Sequence, residues 1–174
     1  MIKKIILTLF VLLSIVGCAD KSTVQHVGKK NQKLDPSKSV YIATPKDALY
    51  GDKIYNGSGA TTSQALSLGF AKYVDELEVA SKYQSRAEAI AYAKKKNFSY
   101  LIYPNILHWE DRATEWSGVP DRLSIKVSII DTKTSQNISS SIIEGRSGWA
   151  TFGGDHPQDL LPSAVEELTN NLYN

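Results

Sequence analysis

Leu123, Ile125, Val127 and Ile129 occupy every second position of one short run, with Ser124, Lys126 and Ser128 between them. A period of two places the apolar side chains on one face of a strand and the polar ones on the other, so this run belongs to a sheet. Its two neighbours are legible on either side. The polar stretch Asp131 to Gln136 turns the chain back as Asn137 to Glu144, an antiparallel partner in which Ile138, Ser140 and Ile142 share one face. Before the run, Tyr100 to Leu107 (YLIYPNIL) is apolar on both faces, the pattern of a central strand covered on two sides. Pro104 inside it cannot donate to a ladder, which requires a bulge or an edge left unpaired on one side.

The rest of the chain supplies the layers around that meander. Val40 to Ala43 is a short β-rich run ended by Thr44 and Pro45, and the Gly- and Asp-rich segment from Pro45 to Gly59 reads as a long loop. Thr61 with Gln64 predicts a capping box for a helix that buries Leu66, Phe70, Tyr73 and Val74. Gly57-Ser58-Gly59 ahead of it could offer N–H groups to an anion, but it lacks the lysine of a phosphate loop and favours a tight approach to the helix. Leu77 and Val79 flank Glu78 as a second strand. Ser85 with Glu88 caps a second helix on a small-residue face (Ala87, Ile90, Ala91, Ala93), ending at Asn97 after Lys94, Lys95 and Lys96. Leu161, Ala164, Val165, Leu168 and Leu172 form the stripe of a closing helix that becomes regular from about Pro162, after an irregular entry from Asp155. The predicted order is βαβαβββα, an α/β (α+β) single domain with a mixed sheet and helices packed on it.

The N-terminus is an address. Lys3 and Lys4 precede an apolar run, Ile5 to Val16, that is too short to span a bilayer comfortably, and Gly17 then meets Cys18, the only cysteine. Ile15-Val16-Gly17-Cys18 resembles the bacterial lipobox, which implies a signal peptide over residues 1–17, lipidation of Cys18 and a membrane anchor through that lipid. Ala19 after the cysteine implies sorting to the outer membrane, with the body in the periplasm. Residues 18–39 hold only Val24, Val27 and Leu34 to bury and read as a lipidated flexible tether reaching on the order of 25 Å. Residues 40–174 are the size of one ordinary domain. Without Lys3 and Lys4 the Lys plus Arg count falls from 20 to 18 and equals the 18 Asp plus Glu, so no basic excess points to nucleic acid. A lone cysteine also leaves no disulfide within the chain and no thiolate metal site. No cofactor or metal is expected.

All three tryptophans fall in two short stretches, HWEDRATEWSGVPDR (His108 to Arg122) and WATFGGDHPQDL (Trp149 to Leu160). If Tyr100 to Leu107 and Leu123 to Ile130 pair as a hairpin, the first stretch projects beyond the sheet, and the second adjoins it before the closing helix. Exposed Trp and Arg anchors dominate contact energies at interfaces. The candidate partner-binding residues are therefore Trp109, Glu110, Asp111, Arg112, Trp116, Arg122, Trp149, Phe152, Asp155 and His156, facing an envelope protein or peptidoglycan. The competing reading packs the tryptophans into the core and pairs the carboxylates with Arg112 and Arg122 as scaffolding. A catalytic reading uses carboxylates of residues 108–122 and 149–159 in a glycan-active hydrolase. It lacks a paired-histidine zinc spacing or a nucleophile elbow, so a non-enzymatic binding module is preferred.

The stretches ILHWEDRATEWSGVPDR and WATFGGDHPQDLL resemble the signatures of a group of bacterial lipoproteins known as a domain of unknown function, over about Val40 to Tyr173. That resemblance implies a lipoprotein and brings no activity, cofactor or catalytic residue. The element order is also similar to small periplasmic α/β domains of envelope-assembly lipoproteins, such as penicillin-binding-protein activators and the curli secretion lipoprotein.

Overall fold

The alternating run forms the inner strand of an antiparallel meander. In a computed structural model, which describes residues 21–27, 32–111, 120–148 and 156–174, the elements in chain order are β1 (Lys21–His26), β2 (Val40–Thr44), β3 (Ala48–Tyr50), β4 (Lys53–Tyr55), α1 (Ser58–Phe70), β5 (Leu77–Tyr83), α2 (Arg86–Lys95), β6 (Tyr100–Glu110), β7 (Arg122–Asp131), β8 (Asn137–Arg146), a 3-10 turn (Pro157–Leu160) and α3 (Leu161–Tyr173). Six strands make one sheet in the order β1-β8-β7-β6-β2-β5, with β2 parallel to β5 and β6 and the other pairs antiparallel. Apart from β1, the β3–β4 hairpin and the 3-10 turn, this is the expected βαβαβββα order. The fold class is mixed α/β.

Two apolar clusters sandwich the sheet. Ile125, Val127 and Ile129 of β7 point into the larger one with Leu66 and Phe70 of α1 and Leu161, Val165, Leu168 and Leu172 of α3. On the opposite face α2 sits on Tyr41, Leu101, Phe98 and Ile130, held close by Ala89 and Ala93, which are fully buried. The Ser85–Glu88 capping box is present. At the other end Asn97 adopts φ 62° while the Phe98 and Asn97 N–H groups bond the carbonyls of Ala93 and Lys94, the pattern of a left-handed helix stop. Of the two allowances for Pro104 the free edge is realised, while pairing with β7 runs regularly through Pro104 opposite Val127. β2 pairs with β6 only as far as Ile102, leaving that edge free at Pro104, and the register of β6 on β7 shifts between Ile106 and His108.

On α2 the buried small residues are Ala89 and Ala93, whereas Ala87 and Ala91, expected on that face, are exposed, and four further local expectations change. Helix α1 begins at Ser58 rather than behind a Thr61 cap, because the preceding loop reaches in. The Asp47 carboxylate accepts the Gly59 N–H at 2.8 Å, and the Ser58 hydroxyl accepts the Ala48 N–H at 2.9 Å. A carboxylate of the chain itself thus fills the place an anion would take. Gly59 permits this approach, since a Cβ there would lie 2.3 Å from the Pro45 carbonyl oxygen. Within the predicted loop, Ala48–Tyr50 and Lys53–Tyr55 pair as a hairpin turned at Gly51, whose φ is 58°. On β8 Ile143, in register with Ile125, and Gly145, in register with Leu123, face the main core and Ile138 packs against it, whereas Ile142 faces away beside Lys126, so Ile138 and Ile142 do not share a face.

The fourth concerns the tether. Residues 21–26 extend the sheet along β8, Val27 N–H bonds the Ser140 carbonyl, Ser22 meets Ser163 of α3 at 3.1 Å, and Leu34 is buried with its N–H on the Leu172 carbonyl. A strand with one inward apolar residue, Val24, carries little hydrophobic signal. It is held by ladder hydrogen bonds that any sequence can make. A chain beginning at residue 32 is therefore expected to unfold about 1–3 kcal/mol more easily than one beginning at residue 19, on the scale of one buried Val and a bared strand edge. Matched urea titrations of the two chains measure this; equal midpoints would mean that β1 adds nothing.

Candidate functional site

The β6–β7 hairpin and the entry to α3 meet at one end of the sheet, so the two unusual stretches are neighbours. Asp111 Oδ1 lies 3.5 Å from His156 Nδ1, the Asp121 N–H donates to the Ser147 hydroxyl at 2.9 Å, and the Ser147 N–H donates to the Asp121 carbonyl at 3.1 Å. The β3–β4 hairpin packs beside them. The Tyr50 ring meets the His108 ring edge-on at 5.0 Å, and the Tyr55 hydroxyl accepts the Asp111 N–H at 3.4 Å.

Trp109 is not an exposed anchor. Only 3% of it reaches solvent, and it belongs to the main core with Leu123 and Leu160. Strand alternation explains this, because Trp109 is in register with Leu123 and shares its inward face. Glu110 is turned to the other face and is also buried, at 5% exposure, with its Oε2 3.3 Å from His108 Nε2. It belongs to the scaffold rather than to an open contact surface. Glu110 and Asp111 therefore diverge, each toward a different histidine. Arg122 is exposed at the start of β7, and Asp111 and His156 remain partly or fully accessible. Arg112, Trp116, Trp149, Phe152 and Asp155 lie outside the described residues.

Register adds residues that the linear sequence hides. Glu110 stands opposite Arg122, Arg122 opposite Arg146, and Arg146 opposite Lys21, so three exposed cations run across β7, β8 and β1 at this end. Among the described residues none of the three forms an ion pair. Arg146 and Lys21 are 24 and 101 positions from Arg122, and only the strand pairing makes them neighbours. On the part of the outer face that no described helix covers, the row continues inward as Thr23, Glu144, Ser124 and His108. Chemically this end is a cationic rim over a polar sheet face, suited to binding anionic groups.

These features define a mixed-sheet α/β domain with two helices on one face, one on the other and a basic end. The same fold occurs in two crystal structures of the PelC dodecamer from Paraburkholderia phytofirmans. Each has a TM-score of 0.68 at 11% and 12% identity and covers 87% and 88% of this chain and 99% of that one. The lipoprotein GNA1162 from Neisseria meningitidis is more distant, with a TM-score of 0.47 at 13% identity over 76% of this chain and 94% of its own. No curated protein sequence matches. The chain belongs to the family described as a domain of unknown function (DUF4823), whose model matches residues 32–172.

The burial pattern separates scaffold from surface. Trp109→Ala should cost about 3–5 kcal/mol of stability, the range for emptying a buried aromatic site. Arg122→Ala should change it by no more than about 0.5 kcal/mol, as for an exposed side chain with no ion pair among the described residues. Chemical denaturation of both variants decides this. The assignment fails if the order is reversed.

Proposed function

We propose that this chain is an outer-membrane lipoprotein, lipidated on Cys18, whose periplasmic domain is a non-enzymatic module that binds an envelope protein or the cell wall through the Arg122 end of the sheet. The observation that carries the reading is the meeting of the two unusual stretches there through Asp111 with His156, braced by Asp121 on Ser147 just ahead of the second stretch, beside exposed Arg122, which has no ion pair among the described residues. A hydrolase would need carboxylates converging on one bond. The divergence of Glu110 and Asp111 supports the binding reading instead. The anchor rests on the Ile15-Val16-Gly17-Cys18 motif behind the apolar run, and the outer-membrane destination on Ala19. The likeness to a protein that crystallises as a dodecamer supports a part in assembly.

In the full lipidated chain, Trp116→Ala with Arg122→Ala should leave the thermal unfolding midpoint within a few degrees of the parent and at least halve recovery of cross-linked envelope partner or co-sedimenting peptidoglycan. Undiminished recovery would refute the surface, and unfolding of the double variant would mark it as core. Cys18→Ser should abolish incorporation of labelled palmitate.

A further inference from the structure

We propose that the domain lies directly on the bilayer, with the end that carries Lys21, Arg122, Arg146 and the β3–β4 hairpin facing anionic lipid headgroups. This rests on the reading that Cys18 bears the lipid, and it sets the membrane surface, in place of an envelope protein or the cell wall, against that end.

Chain length carries the argument. Strand β1 begins at Lys21, so three peptide steps separate the lipid-bearing residue from the sheet, a span of at most about 11 Å even when fully extended. A twenty-residue tether would have let the body drift; three steps do not. The opposite end of the sheet lies roughly 30 Å away along the ten residues of β8. That end is basic too, with Lys94, Lys95, Lys96 and Lys133, so charge alone does not choose the orientation. The attachment point does.

The surface brought down by so short a link suits a headgroup layer. Lys21, Arg146 and Arg122 form a row of exposed cations without ion-pair partners among the described residues. Beside them the hairpin carries Leu49 and Ile54 as a cross-strand pair, 65% and 59% exposed, directed away from the core side on which Ala48 is buried. Lys53 reaches over the Tyr55 ring at 4.5 Å. Between the hairpin and the end of β5, Leu49, Ile54 and Tyr83 line an open groove of about 460 Å³ together with Lys46, Lys82 and one carboxylate, Asp47, which is already engaged by the Gly59 N–H. Exposed aliphatic side chains interleaved with lysines are costly in water and well matched to the boundary between headgroups and acyl chains. Long lysine stems can bury their methylenes there while the ammonium groups stay with the phosphates.

The test uses the full lipidated chain in vesicles of phosphatidylethanolamine and phosphatidylglycerol. Cys18 is the only cysteine and its sulfur is consumed by the lipid, so Leu49→Cys, Ile54→Cys and Lys133→Cys each present one thiol for an environment-sensitive fluorophore. Quenching by a nitroxide on the lipid headgroup should be at least threefold stronger at positions 49 and 54 than at 133. The contrast should shrink in phosphatidylcholine vesicles, at high salt, and when Lys21, Arg122 and Arg146 are all replaced by Gln. Equal quenching at the three positions, or stronger quenching at 133, overturns the orientation while leaving the lipoprotein reading intact. If mass spectrometry of the chain from its own envelope shows Cys18 unmodified, both fall together.

Discussion

The register of β6, β7 and β8 governs everything at the candidate functional end of this protein. Because side chains alternate across a strand, a slip of one residue would exchange the buried and exposed faces of β7. The observed pairing sends Trp109 and Leu123 inward and aligns Glu110, Arg122 and Arg146 across the outer face. The shift between Ile106 and His108 is part of the same device. Without that extra residue Ile106 and His108 would fall on one face, whereas the shift keeps Ile106 against the core and His108 outward beside Glu110. The hairpin is thus locked by burial on one side and carries its polar chemistry on the other.

That locking divides labour between the two faces. The face under α1 and α3 holds most of the large apolar side chains, including Phe70, Ile102 and Leu161, and supplies the stability. The opposite face is covered only by α2, at the β5, β2 and β6 side. Beyond Ile130, over the rest of β7, β8 and β1, no described helix lies, and Ser124, Lys126 and Glu144 meet water. Strand β1 then makes a segment with one inward valine the sheet's edge, which leaves only three peptide steps between Cys18, the proposed anchor, and the scaffold.

The sequence made the sheet legible wherever burial imposes a period. The alternation from Leu123 to Ile129, the stripe of the closing helix and the Ser85–Glu88 box each identify their element from local chemistry. What escaped was set by partners distant in the chain. Strand β1 is held by β8, the start of α1 by Asp47, and the β3–β4 hairpin by its own pairing and by Tyr50 on His108. The candidate site was legible as a place rather than as a set of side chains. Asp111, Arg122 and His156 do gather there, but Trp109, chosen for its chemistry, follows Leu123 into the core, and the cations beside Arg122 come from strands that only register brings alongside.

With β1 part of the sheet, a lipid on Cys18, as proposed, would leave the domain no room to stand away from the membrane. Neutron reflectometry of the lipidated chain on a supported anionic bilayer measures this distance directly. Protein density should begin at the headgroup layer with no solvent gap beyond about 10 Å, the reach of three residues. A water-filled layer near 25 Å, the reach of a twenty-residue coil, would show that residues 18–39 act as a free tether and would contradict the account.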